Sequence, residues 1–149
     1  MIIRKATEND LSSIVKLLAN DPLGMKRECY QDPLPESYRR AFFEINADKN
    51  NFLVVVEENN KIVGTLQLTF ITYLTYQGGK RALIEGGRID ESCRGKGLGK
   101  KLFEWAIEKS REEKCHVIQL TTDKKRPDAL EFYIKLGFIA SHEGLKLHL

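Results

Sequence analysis

Apolar residues along the chain alternate between two periods, and each change of period marks a predicted element. Leu11, Ile14, Val15 and Leu18 recur at i, i+3, i+4 and i+7, which places them on one buried face of a helix. Thr7 with an acid three places on, Asp10, resembles a capping box and sets the start of that helix, and Asp21-Pro22 sets its end. Before it, Ile2 to Ala6 reads as a short strand. Residues 22–35 hold three of the four prolines and little periodicity, which predicts a loop with a helical turn around Lys26 to Tyr30. Leu34, Tyr38, Ala41, Phe42 and Ile45 then restore the helical spacing, with Pro35 near the first turn, where a missing N–H costs least.

The period next falls to two. Phe52 to Glu57 is a Val-rich strand and Glu58-Asn59-Asn60 a turn. From Ile62 onward Leu66, Leu68 and Phe70 are apolar while Thr65, Gln67 and Thr69 are polar, so the hairpin has one buried face. Gln77 to Lys80 is a second turn, and Arg81 to Asp90 a strand interrupted by Gly86-Gly87, a pair that predicts a bulge or a close backbone approach. A long helix follows from Leu98 to Glu113, with Leu98, Leu102, Phe103, Trp105 and Ala106 on its apolar arc. Val117 to Thr121 is a strand. Pro127 opens a last helix with Ala129, Phe132, Tyr133 and Leu136 on its apolar side, Gly137 ends it, and Phe138 to Leu149 supplies one or two final strands. The order β-α-α-β-β-β-α-β-α-β gives a mixed α/β (α+β) layered fold.

Composition narrows this reading without changing it. A length of 149 residues predicts one domain, 1–149, and 42% hydrophobic with 30% charged residues is ordinary for a soluble globular chain. The longest apolar run, Phe52 to Val56, is far short of the roughly 20 residues that cross a bilayer. Met1-Ile2-Ile3-Arg4 meets charge before a signal-peptide core could form, so a cytoplasmic location is expected. A net charge of +3 is too small a bias to name nucleic acid as a partner. Cys29, Cys93 and Cys115 form no C-x-x-C pair, which argues against a disulfide framework and fits a reducing compartment. His116, His142 and His148 form no ligand cluster with them, so no metal is expected.

The stretch that carries chemistry is Arg94-Gly95-Lys96-Gly97-Leu98-Gly99-Lys100, between a strand and the start of a helix. Glycines there let the chain turn without Cβ clashes and leave N–H groups pointing outward at the positive end of the helix dipole, an arrangement that binds phosphate. It is not a P-loop, since Arg94 stands where the first glycine belongs and Lys101 follows Lys100. Nor is it a dinucleotide fingerprint, which needs a third glycine where Lys100 stands. It does fit [QR]-x-x-G-x-[GA]. Together with Ala129-Leu130-Glu131-Phe132-Tyr133-Ile134-Lys135-Leu136-Gly137-Phe138, which resembles A-x-x-x-Y-x-x-x-G-F, the chain resembles the GNAT superfamily of acetyl-CoA-dependent N-acetyltransferases over nearly its whole length.

That resemblance implies a single domain with a mixed, mostly antiparallel sheet of six or seven strands flanked by four helices, with acetyl-CoA as cosubstrate and a primary amine, of a small molecule or of a protein, as acceptor. It also implies that Arg94, Gly95, Lys96, Gly97, Leu98, Gly99 and Lys100 wrap the pyrophosphate of the coenzyme. An alkylamine with a pKa of about 10.4 is mostly ammonium at neutral pH, so a base is useful. Glu85 resembles the carboxylate used in the family for proton removal or for binding the cationic amine, two separable roles. Backbone N–H groups from Gly86 to Ile89, with Ile89 the closest match, would face the developing negative charge. Tyr133 resembles the family tyrosine that gives a proton to the departing thiolate. One departure is Arg126, which stands where many relatives carry an Asn and which could reach a phosphate instead. Direct transfer needs no acyl carrier, so Cys93 and Cys115 read as bystanders.

Acceptor choice has no motif. Tyr30, Tyr38, Tyr73 and Tyr76 with Glu85 would suit a small cationic amine such as a polyamine, an aminoglycoside or an amino acid. The rival classes are a transcription-related regulator using Lys96, Lys100, Lys101, Lys124, Lys125 and Arg126 as a basic surface, and an acyl-CoA sensor without turnover. The rival lacks a helix-turn-helix signature. The C-terminal strands would allow a homodimer.

Overall fold

The computed structural model describes residues 1–149. Thirteen elements alternate as the periodicity requires. They are β1 (Ile2–Lys5), α1 (Leu11–Ala19), α2 (Glu36–Ala47), β2 (Asn51–Glu58), β3 (Lys61–Thr72), α3 (Thr75–Gly78), β4 (Lys80–Ile89), α4 (Leu98–Glu112), β5 (Val117–Gln119) and α5 (Pro127–Lys135), with 3-10 turns at Glu8–Asp10, Gly24–Lys26 and Glu91–Cys93. The chain forms two compact units, Met1–Gln119 and Leu120–Leu149.

In the first unit the five strands lie in chain order, β1 to β4 antiparallel and β5 parallel to β4. Asn59 and Asn60 take the two left-handed positions of the β2–β3 turn, the geometry that matches the twist of a tight hairpin. The α4 side of the sheet buries Val54, Leu66 and Leu68, along with Leu98, Leu102, Phe103 and Ala106 of α4 itself. On the opposite side Ala6, Leu11, Ile14, Phe42 and Val55 form a core, with Leu18, Leu34 and Leu53 packed against it. Both faces of β3 are therefore covered, not one as its alternation predicts. Ala41, placed by spacing on the buried side of α2, is exposed; only Phe42 of that helix is fully buried.

The start of α1 is fixed by charge. The Asp10 carboxylate accepts the Thr7 N–H at 2.8 Å and hydroxyl at 2.9 Å, and both terminal nitrogens of Arg4 at 2.8 and 3.0 Å. The Arg4 hydrogen bonds hold its carboxyl down at about 2.

In the second unit α5 ends as its glycine predicts. Gly137 has φ 95°, its N–H reaches the Ile134 carbonyl at 2.9 Å, and the Phe138 N–H reaches the Tyr133 carbonyl at 3.1 Å, the two bonds of a Schellman cap. The final strands predicted over Phe138 to Leu149 do not form. Leu145, Leu147 and Leu149 alternate with polar residues, yet each is almost fully exposed, because a strand holds only where another edge pairs with it. No helix is long and apolar enough to cross a membrane.

Candidate active site

The bulge expected at the paired glycines is present. Thr65 lies opposite Arg88 and Gln67 opposite Glu85, so Leu66 alone faces Gly86 and Gly87 together. Gly86 has φ 61°, a value open to glycine, and a Cβ on Gly87 would stand 3.0 Å from the Phe103 ring. The β4–β5 pairing covers only Arg81 to Leu83, so from Ile84 to Ile89 the β4 backbone has no strand on its β5 side. The stretch expected to offer N–H donors, Gly86 to Ile89, lies on this open edge. The Ile89 side chain packs toward Gly64, leaving its backbone as the group available for a ligand.

Glu85 is exposed and forms no ion pair, and it lines a cleft of about 100 Å³ on the α1 side of the sheet with Ile14, Leu18, Leu53, Thr65, Gln67 and Gly86. None of Tyr30, Tyr38, Tyr73 and Tyr76 lines it. Tyr73 and Tyr76 instead cluster with His116 near the β3–β4 hairpin, where the Tyr73 hydroxyl is hydrogen-bonded to His116 Nε2. From Gln67 to Tyr73 is six residues of strand, about 20 Å at 3.3 Å each. Tyr38 accepts the Cys29 N–H at 2.9 Å and donates to Glu28 at 3.0 Å, tying the α1–α2 loop to α2; burial pushes its hydroxyl upward.

The loop leading into α4 is built from left-handed turns at Gly95 (φ 76°) and Gly97 (φ 78°), and Gly97 is the N-cap. Nothing lies within 4 Å of where a Cβ would stand on either residue. The N–H groups of Gly95 through Lys100 donate to no other part of the chain, and the first turn of α4 carries no acid. Six consecutive free amides at the positive end of a four-turn helix fit a polyphosphate. Lys96 and Lys100 are exposed beside them, Lys100 lying 3.7 Å from Glu104. Gly99 is half-buried, and Leu98 turns its side chain into the core, so each would serve through its amide alone. Arg94, 3.8 Å from Glu91, lines a second cleft of about 240 Å³ with Asn20, Asp21, Pro22, Met25 and Glu91.

In the second unit Tyr133 stands half-buried on α5 with its ring edge-on to Phe132 and Phe138. Arg126 is the residue before Pro127, and its carbonyl accepts the N–H groups of Ala129 and Leu130. No group of three His, Cys, Asp or Glu side chains is placed to hold a metal ion.

The sequence profile of the Acetyltransferase (GNAT) family matches residues 20–138, spanning the α1–α2 loop, the bulged strand, the glycine loop and the α5 signature. The chain belongs to the GNAT family. A crystal structure described as a transcriptional regulator from Bacillus halodurans C-125 is 60% identical, with a TM-score of 0.97 and 99% of each chain covered. The aminoalkylphosphonate N-acetyltransferase of Salmonella typhimurium is 27% identical over 144 residues, 94% of this chain and 86% of that one. A predicted acetyltransferase from Clostridium acetobutylicum, solved with acetyl-CoA, is 25% identical with a TM-score of 0.76, covering 99% of this chain and 95% of that one. This GNAT protein is an acyltransferase, and its α+β fold is the one that uses acetyl-CoA.

Two residues of the cleft, Thr65 and Gln67, were not among the candidates read from the sequence. The signal was present: polar side chains at period two in a central strand, where helices cover both faces, have no bulk solvent to face.

Proposed function

We propose that this GNAT protein moves an acetyl group from acetyl-CoA directly to a primary amine of a small molecule, with Glu85 and Tyr133 as catalytic residues. The observation that carries the reading is the open β4 edge between the free amides of the α4 loop and the unpaired Glu85 carboxylate. Bound there, acetyl-CoA would supply an activated thioester. The amides of Gly95 to Lys100 would hold its phosphates, with Arg94, Lys96 and Lys100 adding positive charge, and Arg126 is assigned to a phosphate only by its place before the family signature. The backbone N–H of Ile89 would hold the carbonyl end, and the left-handed bulge would turn β4 donors toward the developing oxyanion. Glu85 would take the amine as a cation and accept its proton. Tyr133 is assigned by the spacing it shares with the family signature, and would protonate the departing thiolate. The Salmonella relative supports an amine carried on an alkyl chain as the acceptor.

The second reading, a regulator of transcription, is favoured by the description of the Bacillus relative. The fold gives it no reading head: α1 and α2 are joined by residues 20–35 and α4 and α5 are separated by β5, whereas a helix-turn-helix needs a turn of three or four residues. The exposed leucines at 145, 147 and 149 support a homodimer through the C-terminal segment, read directly by sedimentation velocity.

Calorimetric titration of acetyl-CoA tests the first reading, with Arg94→Glu plus Gly97→Asp as a folded control. Micromolar binding lost in the control, with thiol release on adding an amine, is the expected result. No binding by folded wild type, with salt-dependent DNA binding in its place, would leave the regulator standing.

A further inference from the structure

The cleft beside Glu85 has a hydrogen-bond polarity that can be followed atom by atom. Asp48, a carboxylate, can only accept, so Asn51 must point its amide nitrogen at it, at 2.6 Å. Asn51 Oδ1 is thereby left to accept, and it takes the Thr69 hydroxyl at 2.6 Å and Gln67 Nε2 at 3.1 Å. Gln67 is fixed in turn: its nitrogen faces Asn51, and its oxygen is the amide atom with no partner in the protein. Thr65, 1% exposed, gives its hydroxyl proton to the Val54 carbonyl at 3.0 Å and has only lone pairs left. The polar side chains lining the cleft are thus Thr65, Gln67 and the Glu85 carboxylate, each presenting acceptors, set among the apolar walls of Ile14, Leu18 and Leu53. Arg88, opposite Thr65 in the sheet, is engaged with Asp21 at 3.3 Å and with the Gly87 carbonyl at 2.8 Å.

We propose that this cleft selects an ammonium group on an aliphatic carbon and rejects an amine whose own carbon bears a carboxylate, with Gln67 as the specificity-determining residue and Asn51 as the residue that positions it. The inference rests on the amine-acceptor reading above and deepens it. Three acceptors complement the three N–H bonds of an alkylammonium. A carboxylate on the same carbon would face lone pairs and a like charge, with no side-chain donor among the residues that line the cleft to receive it, and its desolvation would go unrepaid. Among the acceptors the sequence left open, a polyamine or an aminoglycoside fits, and an α-amino acid does not.

The test uses propylamine and L-2-aminobutyrate, which differ by the carboxylate alone. Binding to the protein saturated with coenzyme A is followed by NMR titration, and thiol release from acetyl-CoA is followed separately. Wild type is expected to bind propylamine at least about tenfold more tightly, the worth of one charged group left unpaired. Gln67→Met should weaken propylamine binding, and Asn51→Leu should do the same by freeing the amide to turn. Gln67→Lys, which adds a donor, should bring the two ligands to similar affinity. Equal binding of the two ligands by wild type, no binding of either, or unchanged affinities in Gln67→Met would overturn the proposal. Selective binding without thiol release upholds the cleft's polarity and removes acetyl transfer; thiol release without selectivity does the reverse.

Discussion

The Arg4–Asp10 pair offers the sharpest quantitative test of how the Glu85 cleft is held. Asp10 is 6% exposed at the turn into α1, the helix that sends Ile14 and Leu18 into the cleft. Its carboxyl falls from 3.8 to about 2 on folding, chiefly through the Arg4 hydrogen bonds and against the opposing effect of burial. At about 1.4 kcal/mol per pH unit, that fall contributes about 2 kcal/mol to stability at neutral pH. The unfolded chain takes up the proton first as pH drops, so the contribution is whole above 3.8 and is lost as pH falls through about 2. Urea unfolding of wild type and Asp10→Asn at pH 7, 4 and 3 isolates it, since every other carboxyl titrates in both proteins. Their difference should be about 2 kcal/mol at pH 7 and roughly half that at pH 3. A difference that stays flat with pH, or an Asp10→Asn protein as stable as wild type at pH 7, would refute the assignment of this pair as the anchor of α1.

The remaining expectations concern the site and the loop beside it. Glu85→Gln should lower kcat/KM by about 100-fold with acetyl-CoA affinity unchanged; a loss carried in kcat marks proton removal, one carried in KM marks amine capture, and no loss removes Glu85 from the site. Tyr133→Phe should lower kcat by about 100-fold and leave coenzyme binding near wild type, while the ring that packs on Phe132 and Phe138 is kept. Gly24→Ala would set a Cβ 2.0 Å from the Leu18 carbonyl oxygen, a backbone atom that cannot yield, so the loop must leave α1. A cost of about 1 to 3 kcal/mol should appear in urea unfolding.

What the sequence made legible follows from how local each signal is. The glycine pair in β4, the Asn-Asn turn and the Gly137 cap are set by one or two backbone angles, and each appears where the residues place it. Strand pairing is not local: Leu145, Leu147 and Leu149 carry the alternation of a strand but form none, and alternation without pairing is only exposure. The same distinction governs the site. The glycine loop was readable because a phosphate cradle is made of consecutive amides. The tyrosines were not, because a shared residue type does not make a shared site: Tyr30 and Tyr38 belong to the α1–α2 loop and α2, and Tyr73 and Tyr76 to the connection between β3 and β4.

The Tyr133 signature carries a lesson of its own. Tyr133, Gly137 and Phe138 are at the spacing a Schellman cap demands, with the C3 carbonyl, the left-handed glycine and the hydrophobic contact after it all present. Helix termination alone thus accounts for the interval between these residues, and a chain under no catalytic demand could keep it. What the cap does not require is a hydroxyl, since Phe would serve the ring contact as well. The catalytic claim therefore rests on a single oxygen atom. Tyr133→Phe is informative because it removes that atom and leaves the cap's own hydrogen bonds and ring contact in place.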